Sequence, residues 1–355
     1  MPNDFYITTL IKQAFTDLDR QILDMSAQVI NNGTMSRAQT IAVVAPVFSG
    51  SCALLALFDP SNLVLRVANV GDSRAVLGRW DSSQEKYVAQ PMSVDQTGFN
   101  REEVERMARD HPDEDVIDPK TGRVHGIAVS RAFGDARWKW PQEVSKRARD
   151  LFWGPSPRPD HMIKTPPYLT AEPEVKEIQI QEGDHPDFLI MASDGLWDQM
   201  SSQDAVTCVQ MWLDKYAPTD FLRQPEKLVL GGPIDPQYLP KRPRKSEGEQ
   251  KSAPLFLTDK PPRFSTPAEL AQEEEDVFYN EEEKTVLWRT SPKHFVVEDE
   301  CCGVHLIKNA LGGNRRNLFM GLMTVQAPLS RNVRDDITVQ VVFFGTDAEA
   351  AVKAL

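Results

Sequence analysis

Three short stretches, each an apolar run beside carboxylates, hold the residues best able to do chemistry. NVGDSRA sets Asp72 behind a glycine, FLIMASDGLWD sets Asp194 and then Asp198 four positions on, and RDDITVQVVFF sets Asp335 and Asp336 ahead of an apolar run. A glycine or a short connection lets backbones approach closely at such corners. Carboxylates gathered in one place repel one another unless a cation sits between them. Hard divalent ions such as magnesium and manganese favour all-oxygen shells of this kind. Taken singly, each Asp reads as readily as a turn residue that satisfies backbone amides. Asp198 equally suits the N-terminal end of a following helix, and of Asp335 and Asp336 one is the candidate ligand and the other a solvated neighbour. Spacing alone does not bring the three corners together.

The elements that must carry these corners are legible in outline. Ile7, Leu10, Ile11, Ala14, Phe15, Leu18 and Ile22 recur at helical spacing, which predicts an amphipathic core helix over residues 4–30. After the polar turn NNGTMSRAQ the pattern switches to extended structure. SGSCALLALFDPSN predicts a buried strand closed by a proline turn, and LVLRVANVGDSRAVLGRW two strands around Gly71-Asp72-Ser73. NREEVERMARDH, residues 100–111, predicts a charged surface helix capped by Asn100. Six prolines at 141, 155, 157, 159, 166 and 167 predict a segment that wraps the surface without regular structure over 141–170. VKEIQIQ alternates as a strand does, and FLIMAS reads as a more deeply buried one. Ser201 and Asp204 cap a helix running through residue 216. The span 220–290, with KRPRKSEGEQK and AQEEEDVFYNEEE, is expected to be a long, partly disordered insertion. Order is expected to return in the helix VHLIKNALGG and the terminal strand ITVQVVFF, within one domain spanning residues 1–355.

Composition narrows the chemistry further. The 355 residues are 41% hydrophobic and 26% charged, ordinary values for a globular protein. A net charge of -12 argues against nucleic acid or an anionic membrane surface as partner. It leaves open phosphate chemistry conducted through bound cations, which need acidic ligands. The longest apolar run, CALLALF at 52–58, falls far short of the about 20 residues that cross a bilayer, so no membrane span is expected. The first residues look like a core helix and carry no targeting signal. Four cysteines, two of them adjacent, form neither a disulfide framework nor zinc-ligand spacing, which points to a reducing compartment such as the cytoplasm.

In this order GDSRA, GRVHGIAVSRAFGD, LIMASDGLWD and RDDITVQVV resemble the successive motifs of the metal-dependent type 2C (PPM-type) serine/threonine protein phosphatases. The likeness covers nearly the whole chain. DQTGFNREEVERMARDHP, RAFGDARWKWPQ and TPPYLTAEPEV are similar to the catalytic subunits of pyruvate dehydrogenase phosphatase and their fungal mitochondrial relatives. The resemblance implies an α+β fold, a four-layer α-β-β-α sandwich with two central antiparallel sheets. It implies Asp194 and Asp335 as ligands of a catalytic pair of magnesium or manganese ions. Asp72 and Asp198, with Asp194, match a third, weaker metal site. By the same resemblance, water would attack a phosphoserine or phosphothreonine directly, the substrate would be a phosphoprotein, here the pyruvate dehydrogenase alpha subunit within its complex, and the setting the mitochondrial matrix.

One departure stands at the N-terminus. The family begins with a strand bearing an acidic residue, an early phosphate-binding Arg and an Asp-Gly-His-Gly-Gly turn, and none of these is present. The first helix resembles the one that normally follows that turn, so the N-terminal strands are expected to be missing. The sequence then reads as an incomplete gene model of an active enzyme or as a chain that has lost catalysis and serves as a phosphoprotein-binding module. Its own metal binding and phosphate hydrolysis are expected to be weak, with no catalytic residue retained beyond the metal ligands. Arg131 in AVSRAFGD is a candidate for steering substrate phosphate, although an Arg paired to a carboxylate is the commoner arrangement. Trp138 and Trp140 in RWKW read as a packed segment rather than a nucleic-acid stacking patch.

Overall fold

Helix and strand follow one another in a computed structural model that describes residues 4–33, 35–181, 183, 185–216, 277–280, 285–327 and 329–344. The order begins α1 (Asp4–Asn32), α2 (Arg37–Phe48), β1 (Ala53–Asp59), β2 (Val64–Val70), β3 (Arg74–Asp81), β4 (Lys86–Pro91), α3 (Arg101–Asp110) and α4 (Gln142–Phe152). It continues with β5 (Glu174–Gln179), β6 (Phe188–Ala192), the single turn α5 (Asp194–Trp197), α6 (Ser202–Tyr216), β7 (Val277–Asn280) and β8 (Thr285–Trp288). Two helices, α7 (Cys302–Ala310) and α8 (Arg316–Thr324), and the strand β9 (Val339–Phe343) complete it. Chain contacts divide it into two units, one comprising Met1–Tyr216 with Arg289–Thr346, the other Ala217–Trp288 with Asp347–Leu355. In the second, β7 and β8 pair antiparallel, Val277 opposite Trp288. Most of the insertion expected at 220–290 lies outside the described residues.

The first unit holds two antiparallel sheets, ordered β1-β2-β5 and β4-β3-β6-β9. Alternation along the strands decides what each face buries. Leu65 and Val67 of β2 meet Ala75 and Leu77 of β3 and Leu189 of β6 between the sheets. The opposite face of the four-stranded sheet, with Val76, Phe188 and Ile190, packs on Val206, Val209 and Trp212 of α6 and on Leu306 and Ala310 of α7. On the other side, α1 contacts β5, and α1, α2 and α4 share a cluster of Ile30, Val44, Val47, Ala148 and Phe152. The layers therefore run α-β-β-α, as the sequence implied. No helix among the described residues is long and apolar enough to cross a membrane.

Local sequence explains where the elements depart from expectation. The extended structure expected after NNGTMSRAQ is instead α2, because Ser36 and Gln39 close a capping box that starts a helix through a run rich in valine and isoleucine. The irregular segment expected at 141–170 contains α4. Its prolines fall at Pro141, just ahead of the first turn, and from 155 onward, while Ala148 and Phe152 recur at helical spacing and are buried. In α1 the buried stripe is narrower than expected: Ile11 is buried, but Leu10 and Leu18 are exposed. β1, expected to be buried, is an edge strand. Among the described residues it pairs with β2 alone, and Leu55 and Leu57 remain 39% and 42% exposed.

The cap of α3 is as the sequence predicts: the Asn100 side chain accepts a hydrogen bond from the backbone N–H of Glu102 at 3.0 Å. Removing it leaves a donor of the first turn unsatisfied. Asn100→Ala is expected to lower unfolding stability by about 1 kcal/mol in urea titration; an unchanged midpoint would deny the cap any energetic part.

Candidate metal centre

Each acidic corner is placed by a strand end. Asp72 follows β2 through Gly71, whose φ of +104° turns the chain sharply into β3. Asp194 opens α5 directly after β6, and its carboxylate accepts the N–H of Gly195 at 2.9 Å. Asp198 closes the same turn, donating its N–H to the Asp194 carbonyl at 2.8 Å. Asp335 and Asp336 precede β9, which pairs with β6 in register from Ala192 opposite Val339.

The second and third corners are locked to each other. Ser193 Oγ donates to the Asp336 carbonyl at 2.9 Å and accepts the Thr338 N–H at 3.0 Å, while the Ser193 N–H reaches the Thr338 carbonyl at 3.1 Å. Gly195 has no side chain to strike the Asp336 carbonyl that lies over it. Sequence adjacency in a sheet thus converts into adjacency of Asp194 and Asp335.

Electrostatics shows that all four aspartates share one neighbourhood. Asp194 is pushed up to about 6, by burial first and then by the charges of Asp72, Asp335 and Asp198, with the Gly195 N–H opposing. Asp198 is raised by burial, Asp335, Asp72 and Asp95, against the pull of Arg74. Cys52, whose Sγ lies 3.3 Å from Asp72 Oδ1, is pushed up to about 12 by burial and then by Asp72, with a smaller contribution from Asp194.

Crowded carboxylates with few countercharges, Arg74 near Asp198 and Arg331 on Asp335, are the kind of oxygen donor set that a hard divalent cation takes. Their chemistry fits magnesium or manganese. The arrangement is nevertheless open: among the described residues no group of three or more His, Cys, Asp or Glu side chains is close enough to hold an ion. Asp335 is meanwhile held by Arg331 at 3.3 Å and by the N–H of Asp336 at 2.7 Å.

The structure places Arg131 elsewhere. Its guanidinium is bound by Glu103, donates to the Glu172 carbonyl at 2.8 Å and reaches Glu174 at 3.1 Å, so it serves a buried ion-pair network. Two groups escaped the sequence. Asp95 pairs with Arg74 at 2.8 Å, and that guanidinium lies 5.2 Å over Trp197, between the aspartates and α6. Asp135, pushed up to about 6 by burial and eased by Lys139 and Arg137, stands near the buried pair of Lys139 and Asp19, 2.7 Å apart. No spacing rule links residue 95 to 74, or 19 to 139.

Residues 7–228 match the family described as Protein phosphatase 2C. A protein phosphatase 2C homolog of Schizosaccharomyces pombe is 36% identical over 346 residues, 97% of this chain and 64% of that protein. The mitochondrial pyruvate dehydrogenase (acetyl-transferring) phosphatase 1 of Saccharomyces cerevisiae is 32% identical over 360 residues, 99% of this chain and 55% of that one. The chain thus spans a little over half the length of these relatives. A solved serine-threonine phosphatase 2C from Toxoplasma gondii overlaps 60% of this chain and 61% of its own at 17% identity, with a TM-score of 0.33.

Proposed function

Because the chain belongs to the protein phosphatase 2C family, we propose that it carries the metal-holding part of a phosphatase that hydrolyses phosphoserine or phosphothreonine in proteins. The observation that supports this reading most is that Asp72, Asp194, Asp198 and Asp335, from three distant segments, lie near enough to act on one another, with Asp194 pushed up to about 6 by burial and then by its acidic neighbours. Asp194 and Asp335 would hold a catalytic pair of ions, and Asp72 and Asp198, with Asp194, a third and weaker one. Magnesium or manganese bound there supplies Lewis acidity, activating water and offsetting the charge of phosphoryl oxygens. The protein's own contribution is placement. Ser193 fixes the Asp336 turn against α5, Gly195 admits it, and Arg74 on Trp197 holds the flank beside Asp198.

Likeness to mitochondrial pyruvate dehydrogenase phosphatases supports a finer reading: a phosphoserine on the pyruvate dehydrogenase alpha subunit as substrate, and the mitochondrial matrix as setting. The test is release of inorganic phosphate from a phosphoserine peptide of that subunit, with manganese and with EDTA. The chain is assayed alone and joined to the coding sequence immediately upstream in its transcript. Manganese-dependent release, abolished by EDTA, is expected in the joined form. If neither form releases phosphate with manganese present, the hydrolytic reading is lost.

A further inference from the structure

The RWKW segment is packed, with Trp138 and Trp140 only 8% and 5% exposed. Of its two cations Lys139 is paired with Asp19, but Arg137 forms no ion pair among the described residues. Arg137 and Arg158 both lie over the Trp138 ring, their guanidinium carbons 5.1 and 5.6 Å from its centroid. The Nε of each is buried without a hydrogen-bond partner. Neither guanidinium forms an ion pair or donates a hydrogen bond among the described residues. A third group lies in the same region: His125 is 7% exposed, and its Nε2 is likewise buried and unpartnered. Trp138 Nε1 donates to the His125 carbonyl at 3.4 Å, and Arg158 Nη2 packs on the neighbouring Gly126, where any side chain would displace it.

The surrounding charges do not satisfy this cluster. Burial, and then the charge of Arg158, pushes Arg137 below the usual arginine range, with Asp135 easing it in part. Glu114, the carboxylate nearest His125 in effect, is taken up by the hydroxyls of Thr165 and Tyr168. Lys164 and His111 add further positive or neutral character around His125. Arg123 reaches only the Gly126 carbonyl, at 3.4 Å.

Buried donors in folded proteins are nearly always partnered, and two adjacent guanidinium groups repel unless an anion joins them. Planar guanidinium forks match the oxygen spacing of a phosphate, and an imidazole protonated at Nε2 adds a third donor. We propose that Arg137, Arg158 and His125 form a binding site for a phosphate group, built from residues other than the acidic corners. Its source is either a small phosphate ester or a phosphorylated side chain, since the cluster recognises the oxyanion common to both. Gln142 Nε2, bonded to the Arg158 carbonyl at 2.8 Å, anchors the proline-rich segment that carries Arg158 to the start of α4.

The experiment uses the full chain stripped of metal with EDTA, so that the acidic corners repel phosphate and contribute no site. Isothermal titration with inorganic phosphate is expected to show saturable binding of one phosphate per chain. Arg137→Gln and Arg158→Gln are each expected to weaken it by about tenfold or more, the loss of one charge-assisted contact, while Asp194→Asn binds as the wild type does. Arg158→Lys keeps the charge without the fork and is expected to fall between. It also serves if the glutamine variant fails to fold. A phosphoserine peptide binding more tightly than inorganic phosphate assigns the site to phosphorylated protein, and equal affinity assigns it to small esters. No saturable heat with wild type, or equal affinity in wild type and both glutamine variants, overturns the proposal. Because metal is absent throughout, neither result bears on the hydrolytic reading above.

Discussion

Asp194→Asn is expected to do two opposite things: abolish manganese-induced stabilisation and raise the melting temperature of the metal-free chain. Holding a carboxyl that normally titrates at 3.8 up to about 6 costs its charged form roughly 3 kcal/mol before screening. The group is only partly buried, so about 1–2 kcal/mol is the discounted figure. Above pH 6 that cost is fully present, and it fades as pH falls toward 3.8, because the folded chain takes up the proton first. Asparagine removes it at neutral pH, for a gain of about 2–5 °C without metal. With manganese the sign reverses. Losing a group that only orients a metal ligand already costs about 10- to 100-fold in affinity, so loss of a ligand itself is expected to exceed the upper end of that range by calorimetry. Proton competition also weakens wild-type manganese binding below pH 6. An unchanged manganese affinity in the variant would remove Asp194 from the ligand set.

Glu103→Ala is expected to cost about 3–5 kcal/mol of unfolding free energy, the range for stranding buried charges. Glu103 is fully buried and binds Arg131, Arg106 at 2.9 Å and the Ser130 hydroxyl, tying α3 to the segment that leads into Asp135. Burial alone would raise its carboxyl. Hydrogen bonds from Arg131 and Arg106 outweigh that and bring it down to about 2. Its stabilisation is therefore complete above 4.5 and is lost as pH falls toward 2. Glu103→Gln, which keeps the shape without the charge, is expected to lose less and to flatten the acid limb of the stability profile. Urea titrations of the three proteins between pH 2.5 and 7 measure both effects; an alanine variant within about 0.5 kcal/mol of wild type, the usual scatter of neutral substitutions, contradicts the assignment.

Strands and corners were legible because strand alternation is local: VKEIQIQ and FLIMAS form β5 and β6, and GDS makes the turn between β2 and β3. The Ser201 cap was equally readable, with Asp204 N–H donating to Ser201 Oγ at 3.1 Å. Misreadings arose where one local signal masked another. Valine and isoleucine hid α2, whose start is set by Ser36, and prolines beyond residue 154 obscured the helical spacing of α4. At the candidate metal centre the four aspartates stood out as strand-end carboxylates, but the partners Asp95 and Arg74 did not. Nor did the Lys139–Asp19 pair or the Glu103 hub. Those contacts join residues 21 to 120 positions apart, for which a single sequence holds no periodic trace. Leu10 and Leu18 mark the same limit from the other direction, since helical spacing shows which residues share a face but not how wide a neighbour will cover it.

Along its outer side β1 offers a row of amide and carbonyl groups beside Leu55 and Leu57, in a seven-residue strand whose first six residues bear no charge. Among the described residues nothing pairs that outer row, so an extended apolar segment of matching length has the chemistry to complete the ladder, whether it comes from the same chain or from another.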